Sequence, residues 1–127
     1  MKNRGFPARM GFALAGMREA WLRESSFRAQ SILAALAFVA LLVLRPAPIW
    51  WAAIGLSCAV VLALELVNSA MEAAIDLLHP GIHPSIKLAK DMLAGAVLVM
   101  SFAALIVGIA MVVDTGPRFL AEVGVKL

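Results

Sequence analysis

The longest charge-free run in the chain, Met92 to Val113, holds 22 residues of which only Ser101 is polar. A bilayer core takes about 20 helical residues, and in lipid a helix satisfies all of its own backbone polar groups. Two further runs have the same character. Phe27 to Leu44 is uncharged from Ser31 onward, and Ile49 to Leu64 is almost wholly apolar. Of the 127 residues, 63% are hydrophobic and 15% charged, against about 45–50% and 25% in soluble domains. A soluble domain this small would need a larger polar skin. The expected fold is therefore an all-α membrane protein with three transmembrane helices.

Residues 6–26 are expected to form an amphipathic surface helix. Phe6, Met10, Leu14, Met17 and Trp21 recur every three or four residues as one apolar stripe. Arginines flank that stripe, as suits a helix lying among anionic headgroups. The spans are placed at about 27–45, 49–78 and 88–113, with a short tail at 114–127, all in one domain over 1–127. Arg45-Pro46-Ala47-Pro48 breaks the first span from the second, and Trp50 and Trp51 mark a membrane boundary. Asp114-Thr115-Gly116-Pro117 is expected to end the third. The tail, with Asp114, Arg118, Glu122 and Lys126, reads as a short helix or a frayed end. No cleaved signal peptide is expected, because the first 28 residues lack a continuous apolar core.

The net charge of +3 is no argument for nucleic acid, but its distribution is informative. Lys2, Arg4, Arg9, Arg18, Arg23 and Arg28 face only Glu19 and Glu24 within the first 28 residues. With Lys87 and Lys90 in the loop before the third span, the positive-inside rule puts the N-terminus and that loop in the cytoplasm. The Arg45 turn and the C-terminus then face outward.

The second span carries an unusual burden. Glu65, Asn68, Glu72 and Asp76 follow one another at spacings of 3, 4 and 4 residues. They share a helical arc of roughly 80°. Acids on a membrane helix are costly and mark function by default. Glu65 lies roughly 16 Å up the helix from Asp76, behind an unbroken apolar run. Acids with an amide suit a hard, oxygen-seeking ion such as Mg²⁺ that keeps water and phosphate ligands. An acid outside the metal could act as general base toward a hydroxyl, and Lys90 could offset phosphate charge. Those are the parts of phosphoryl transfer. The blander alternatives are solvated interfacial acids at Glu72 and Asp76, an arginine partner for Glu65, and anchoring roles for Lys87 and Lys90. His79 and His83 occupy a Pro-containing loop. Cys58 is the only cysteine, which excludes an intrachain disulfide and a Cys-based metal site. Gly95 and Gly108 read as helix-contact or filler positions. There is no P-loop, dinucleotide-binding fingerprint or His-Glu-x-x-His motif.

The run Glu65-Leu-Val-Asn68-Ser69-Ala70-Met-Glu72-Ala-Ala-Ile-Asp76, followed by Ala89-Lys90-Asp91, closely resembles the prokaryotic diacylglycerol kinase family. Its Glu-x-x-Asn-Ser-Ala-x-Glu-x-x-x-Asp signature is matched at every defining position. Gly16-Met-Arg18-Glu-Ala20-Trp21 and Glu24-Ser-Ser-Phe27-Arg28 extend the resemblance to roughly residues 11–113. It implies a homotrimeric, multi-pass enzyme of the bacterial inner membrane with active sites between subunits. ATP would phosphorylate a lipid hydroxyl at the cytoplasmic interface. By motif position Glu65 resembles the general base, and Glu24 and Glu72 the ligands of Mg²⁺–ATP. Asn68, Asp76, His83, Lys90 and Asp91 resemble further nucleotide-site residues. Arg18, Glu19, Ala20 and Trp21, with Ser26, Phe27, Arg28, Ala29, Gln30 and Glu65, resemble the segments that meet the lipid.

The chain departs from the family pattern away from its acidic face. Phe12 stands where well-known members have Tyr, Ala94 where some have Ser, and Gly5 where a basic residue occurs. The loop Leu78–Pro84 lacks the acids some members place beside the histidine. The lipid acceptor implied is diacylglycerol, with undecaprenol as the alternative within the family. A non-catalytic ion-binding or pore-forming oligomer is the alternative from another class.

Overall fold

The computed structural model describes residues 3–124, and its regular structure is entirely helical. Lys2 and Lys126, counted above in the basic N-terminus and the tail, lie outside the described residues. Helix α1 spans Phe6–Arg23, α2 Ser25–Leu44, α3 Pro48–Leu78 and α4 Pro84–Glu122. Three of these, α2, α3 and α4, are long and apolar enough to cross a membrane.

Helix α1 opens with Pro7 in its first turn, where the missing N–H is no loss. Its stripe of Phe6, Met10, Leu14, Met17 and Trp21 is exposed along its length, as an interfacial helix requires. A single residue, Glu24, separates α1 from α2. Its backbone is extended, at φ −106° and ψ 107°. The surface helix therefore ends before residue 26, and Ser25 and Ser26 open the first span. The cause is local. Arg28, one turn into α2, donates from Nη1 to the carbonyls of Trp21 (2.8 Å) and Leu22 (3.2 Å). Those carbonyls belong to the last turn of α1, which has no helical partner for them.

Helix α2 ends at Arg45, which is left-handed at φ 46° and ψ 58°. Pro46 disfavours right-handed helix at the residue before it, and the chain turns into α3 within three residues. Helices α3 and α4 contain 31 and 39 residues. They are about 46 and 58 Å long at 1.5 Å per residue, against a hydrocarbon core of about 30 Å. Both are longer than that core is thick.

Helix α4 departs from expectation at both ends. It begins at Pro84 rather than near residue 88, because His83 caps it: Nδ1 accepts from the Ser85 N–H at 3.1 Å. It does not stop at Asp114–Pro117 but continues to Glu122. Pro117 removes one helical hydrogen bond, yet the turn around it is tied to the α2–α3 corner. Trp50 Nε1 donates to Asp114 Oδ2 at 2.8 Å, and Arg118 Nη2 donates to the carbonyls of Leu44 and Arg45 at 3.2 and 2.7 Å. Thr115, between Asp114 and Arg118 in this turn, is buried. The expected tail is thus, through Glu122, the last part of the third span's helix.

The chain's own core lies toward this corner. Leu41, Ile54 and Met111 are buried, with Ala37, Leu44, Trp50, Trp51, Cys58 and Val107 packed around them. Phe38 meets Trp51 edge to face, with ring centroids 6.0 Å apart. Elsewhere the helices bury little within the chain. Only 11%, 22% and 11% of the most apolar windows of α2, α3 and α4 are buried, so the rest of that surface is left for lipid or other helices. Gly95 and Gly108 do not mediate contacts inside the chain, since a Cβ at either would meet nothing within 4 Å.

Candidate active site at the acidic end of the second span

The four polar residues of α3 occupy graded environments along one face. Glu65 is the deepest, with 4% of its surface exposed. A carboxylate so buried requires a hydrogen-bond donor, and Ser26 on α2 supplies one, Oγ to Oε2 at 3.1 Å. Asn68 follows, half-buried, and its Oδ1 has no hydrogen-bond partner among the described residues. Glu72 is half-buried and Asp76 exposed. Periodicity puts these groups on one face, and of the four it is Glu65 that meets α2, through Ser26.

Helix α4 closes the lower end. Lys90 forms an ion pair with Asp76 across the α3–α4 loop, while Lys87 pairs with Asp91 one turn along its own helix at 2.5 Å. Adjacent helical residues point to different sides. Lys90 and Asp91 are therefore split between two pairs. His83 is exposed at the helix start, with its Nδ1 engaged in the cap.

Helix α1 supplies the other wall. A cleft of about 740 Å³ opens between α1 and α3, bordered by Phe12, Glu19, Arg23 and Glu24 on one side and Ser69, Ala70 and Ala73 on the other. Small residues on α3 leave this space, and Glu24 reaches it because it sits at the elbow. Glu19 is held by Arg23 (2.8 Å) and approached by Arg18 (3.9 Å).

The residues matched to lipid-contacting segments divide in two. Trp21 and Ala29 are exposed, whereas Ala20 and Phe27 are buried within the chain. Ser26, Arg28 and Gln30 all bond within the chain, Gln30 through Nε2 to Ser101 Oγ on α4 at 3.2 Å. Sequence reasoning did not foresee the tie between Ser26 and Glu65, nor Ser69 in the cleft wall. Ser26 and Gln30 stand one turn apart in the polar first turns of a helix that is apolar from Ile32 onward, and that spacing was the available signal.

As a metal site the arrangement is open. Among the described residues no three His, Cys, Asp or Glu side chains cluster as a metal cage. What is available is carboxylate and amide oxygen: Glu24 on the cleft, Glu72 on α3, and the unpartnered Oδ1 of Asn68. By donor chemistry these oxygens suit a hard cation that completes its shell with water and phosphate oxygens, but Glu72 and Asn68 do not line the cleft that Glu24 borders.

Residues 11–112 match the family described as Prokaryotic diacylglycerol kinase. The chain belongs to that family. Similar proteins include one named Diacylglycerol kinase from Helicobacter pylori, 37% identical over 84 residues, covering 66% of this chain and 66% of the relative. The match spans just under two thirds of that protein. Another of the same name from Escherichia coli K12 is 33% identical over 96 residues, covering 76% and 79%. A protein named Undecaprenol kinase from Bacillus subtilis is 41% identical over 59 residues, 46% of this chain and 48% of its own length. The family segment takes in the elbow, the acidic face of α3 and the start of α4.

Proposed function

We propose that this chain is a membrane lipid kinase that transfers the γ-phosphoryl group of ATP to the free hydroxyl of diacylglycerol, giving phosphatidic acid and ADP. The observation that carries this reading is the burial of Glu65, with one carboxylate oxygen held by Ser26, inside the segment that matches the family. A buried carboxylate with one oxygen engaged keeps the other for a substrate proton. In the proposed step Glu65 takes the proton of the lipid hydroxyl as its oxygen bonds to the γ-phosphorus. The bond from that phosphorus to the bridging oxygen of ADP breaks.

Glu24 and Glu72 would hold Mg²⁺, and Asn68, whose Oδ1 has no partner among the described residues, stands one turn from Glu72 on the same helix. The ion would supply positive charge to the transferring phosphoryl group. The Asp76–Lys90 pair keeps a cation at the mouth of the site, and Lys87–Asp91 and His83 stiffen the start of α4 beside it. The membrane proposed is the bacterial inner membrane, with the N-terminus and acidic end cytoplasmic, where ATP is. Assembly as a homotrimer would cover the open cleft and the apolar faces that one chain leaves bare.

Undecaprenol is the second reading for the acceptor, favoured by the 41% identity to the Bacillus subtilis protein over 59 residues. The acidic face handles the phosphate and the hydroxyl and is indifferent to the tail. A non-catalytic ion-binding or pore-forming oligomer draws no support from the family match. The test is label transfer from γ-labelled Mg-ATP by purified protein in mixed micelles, with both lipids offered in parallel. Labelled phosphatidic acid is expected. Labelled undecaprenyl phosphate alone would reassign the acceptor, and label in neither lipid, from folded protein, would overturn the kinase reading.

A further inference from the structure

Glu65 receives its hydrogen bond from a residue whose place is set by several independent contacts. Ser26 is the second residue of α2, immediately after the elbow at Glu24. Arg28 locks that elbow by bonding the Trp21 and Leu22 carbonyls, and the neighbouring Phe27 is buried with 4% exposure. One turn on, Gln30 ties the same helix to Ser101 of α4. These neighbouring contacts fix the backbone at Ser26, whose own side chain is exposed and whose hydroxyl meets Glu65 Oε2 at 3.1 Å. Among the described residues, Ser26 supplies the hydrogen bond received by the Glu65 carboxylate. A carboxylate in a site of low dielectric has two rotatable bonds beyond its Cβ, and a single directed donor at Oε2 removes much of that freedom.

We propose that Ser26 is a positioning residue for the transfer reaction: its hydroxyl fixes Oε2 of Glu65 so that Oε1 is presented to the acceptor hydroxyl. This inference rests on the kinase reading of Glu65. It differs from a lipid-binding role for Ser26 in what it predicts. Weaker lipid binding would raise KM for the lipid, whereas a misaligned base lowers kcat with KM little changed.

The experiment is a double-mutant cycle in mixed micelles with γ-labelled Mg-ATP, lipid and Mg-ATP each being varied at saturating levels of the other. Ser26→Ala, Ser26→Thr, Glu65→Gln and the Ser26→Ala/Glu65→Gln double variant are compared with the wild-type chain. Misalignment of a reacting group can cost one to two orders of magnitude, so Ser26→Ala is expected to lower kcat about ten-fold. KM for Mg-ATP and for lipid should stay within about two-fold, and Ser26→Thr, which keeps the hydroxyl, should recover most of the loss. In the Glu65→Gln background, Ser26→Ala should have little further effect, because the two residues act as one unit. Thermal unfolding of each variant identifies any that is misfolded, and the threonine variant then carries the comparison. Transfer unaffected by Ser26→Ala, a rise in lipid KM alone, or a full additive loss in the Glu65→Gln background would each overturn the inference. An inactive wild-type chain would instead overturn the kinase reading beneath it.

Discussion

Lys90 pairs with Asp76, fourteen residues earlier, rather than with its chain neighbour Asp91. The contact bridges the acidic end of α3 and the first turns of α4, so one cation is both a strut across the loop and a positive charge on the acidic face. Both partners are accessible, Lys90 with 32% and Asp76 with 64% of its side chain exposed, so an exchange of partners is open to the ammonium. A phosphate would compete for it directly.

From this, Lys90→Ala should impair nucleotide use more than folding. The expected result is a several-fold rise in KM for Mg-ATP with a melting temperature close to wild type, since exposed ion pairs contribute little to stability. Asp76→Asn should give a smaller change in the same constant, because it frees the ammonium without removing it. Steady-state kinetics with thermal unfolding in the same detergent checks both. A large loss of stability with unchanged KM would assign the pair to the fold alone.

Glu72→Gln addresses the metal. A neutral amide keeps the shape but weakens attraction for Mg²⁺. The Mg²⁺ concentration giving half-maximal activity should rise about ten-fold or more, with lipid KM unchanged. A titration of Mg²⁺ at fixed ATP and lipid makes the measurement, and an unshifted curve would remove Glu72 from the ligand set.

The opposite end of the molecule is expected to affect stability without touching chemistry. Arg45 holds a left-handed backbone at φ 46°, which costs a residue with a Cβ about 1 kcal/mol. Arg45→Gly should therefore be neutral or stabilising by about 0.5 kcal/mol, after the glycine's greater freedom in the unfolded chain is allowed for. Arg118→Ala removes two bonds to the carbonyls that flank this turn and should destabilise by about 1 kcal/mol. Reversible denaturation in mixed micelles checks the pair, and kcat should be unchanged in both.

Much of the fold was legible from the charge-free runs, the prolines and the apolar stripe. The run Met92–Val113 demands a span, Pro46 and Pro48 demand a turn, and the stripe from Phe6 to Trp21 demands an amphipathic helix; all three are seen. Pro117 does not end its helix, because a proline's local cost is set against its surroundings. The bonds from Trp50 to Asp114 and from Arg118 to Leu44 and Arg45 join residues more than sixty positions apart, and no local pattern announces them. The acidic face of α3 was likewise visible in the spacing of Glu65, Asn68, Glu72 and Asp76. Spacing could not rank their burial, which depends on contacts with other helices such as that of Ser26 with Glu65. Nor could it show that Arg28 turns back on α1, because that requires the one-residue elbow at Glu24.

The central claim is that Glu65 accepts the proton of the lipid hydroxyl, and Glu65→Gln tests it most directly. The amide can still accept a bond from Ser26 and nearly preserves volume, but it cannot take a proton. Single-turnover transfer of labelled phosphate from Mg-ATP to diacylglycerol should fall by about 10²–10⁴-fold, the usual worth of a positioned base, while Mg-ATP binding and the melting temperature stay close to wild type. Transfer at the wild-type rate by the folded variant would contradict the account.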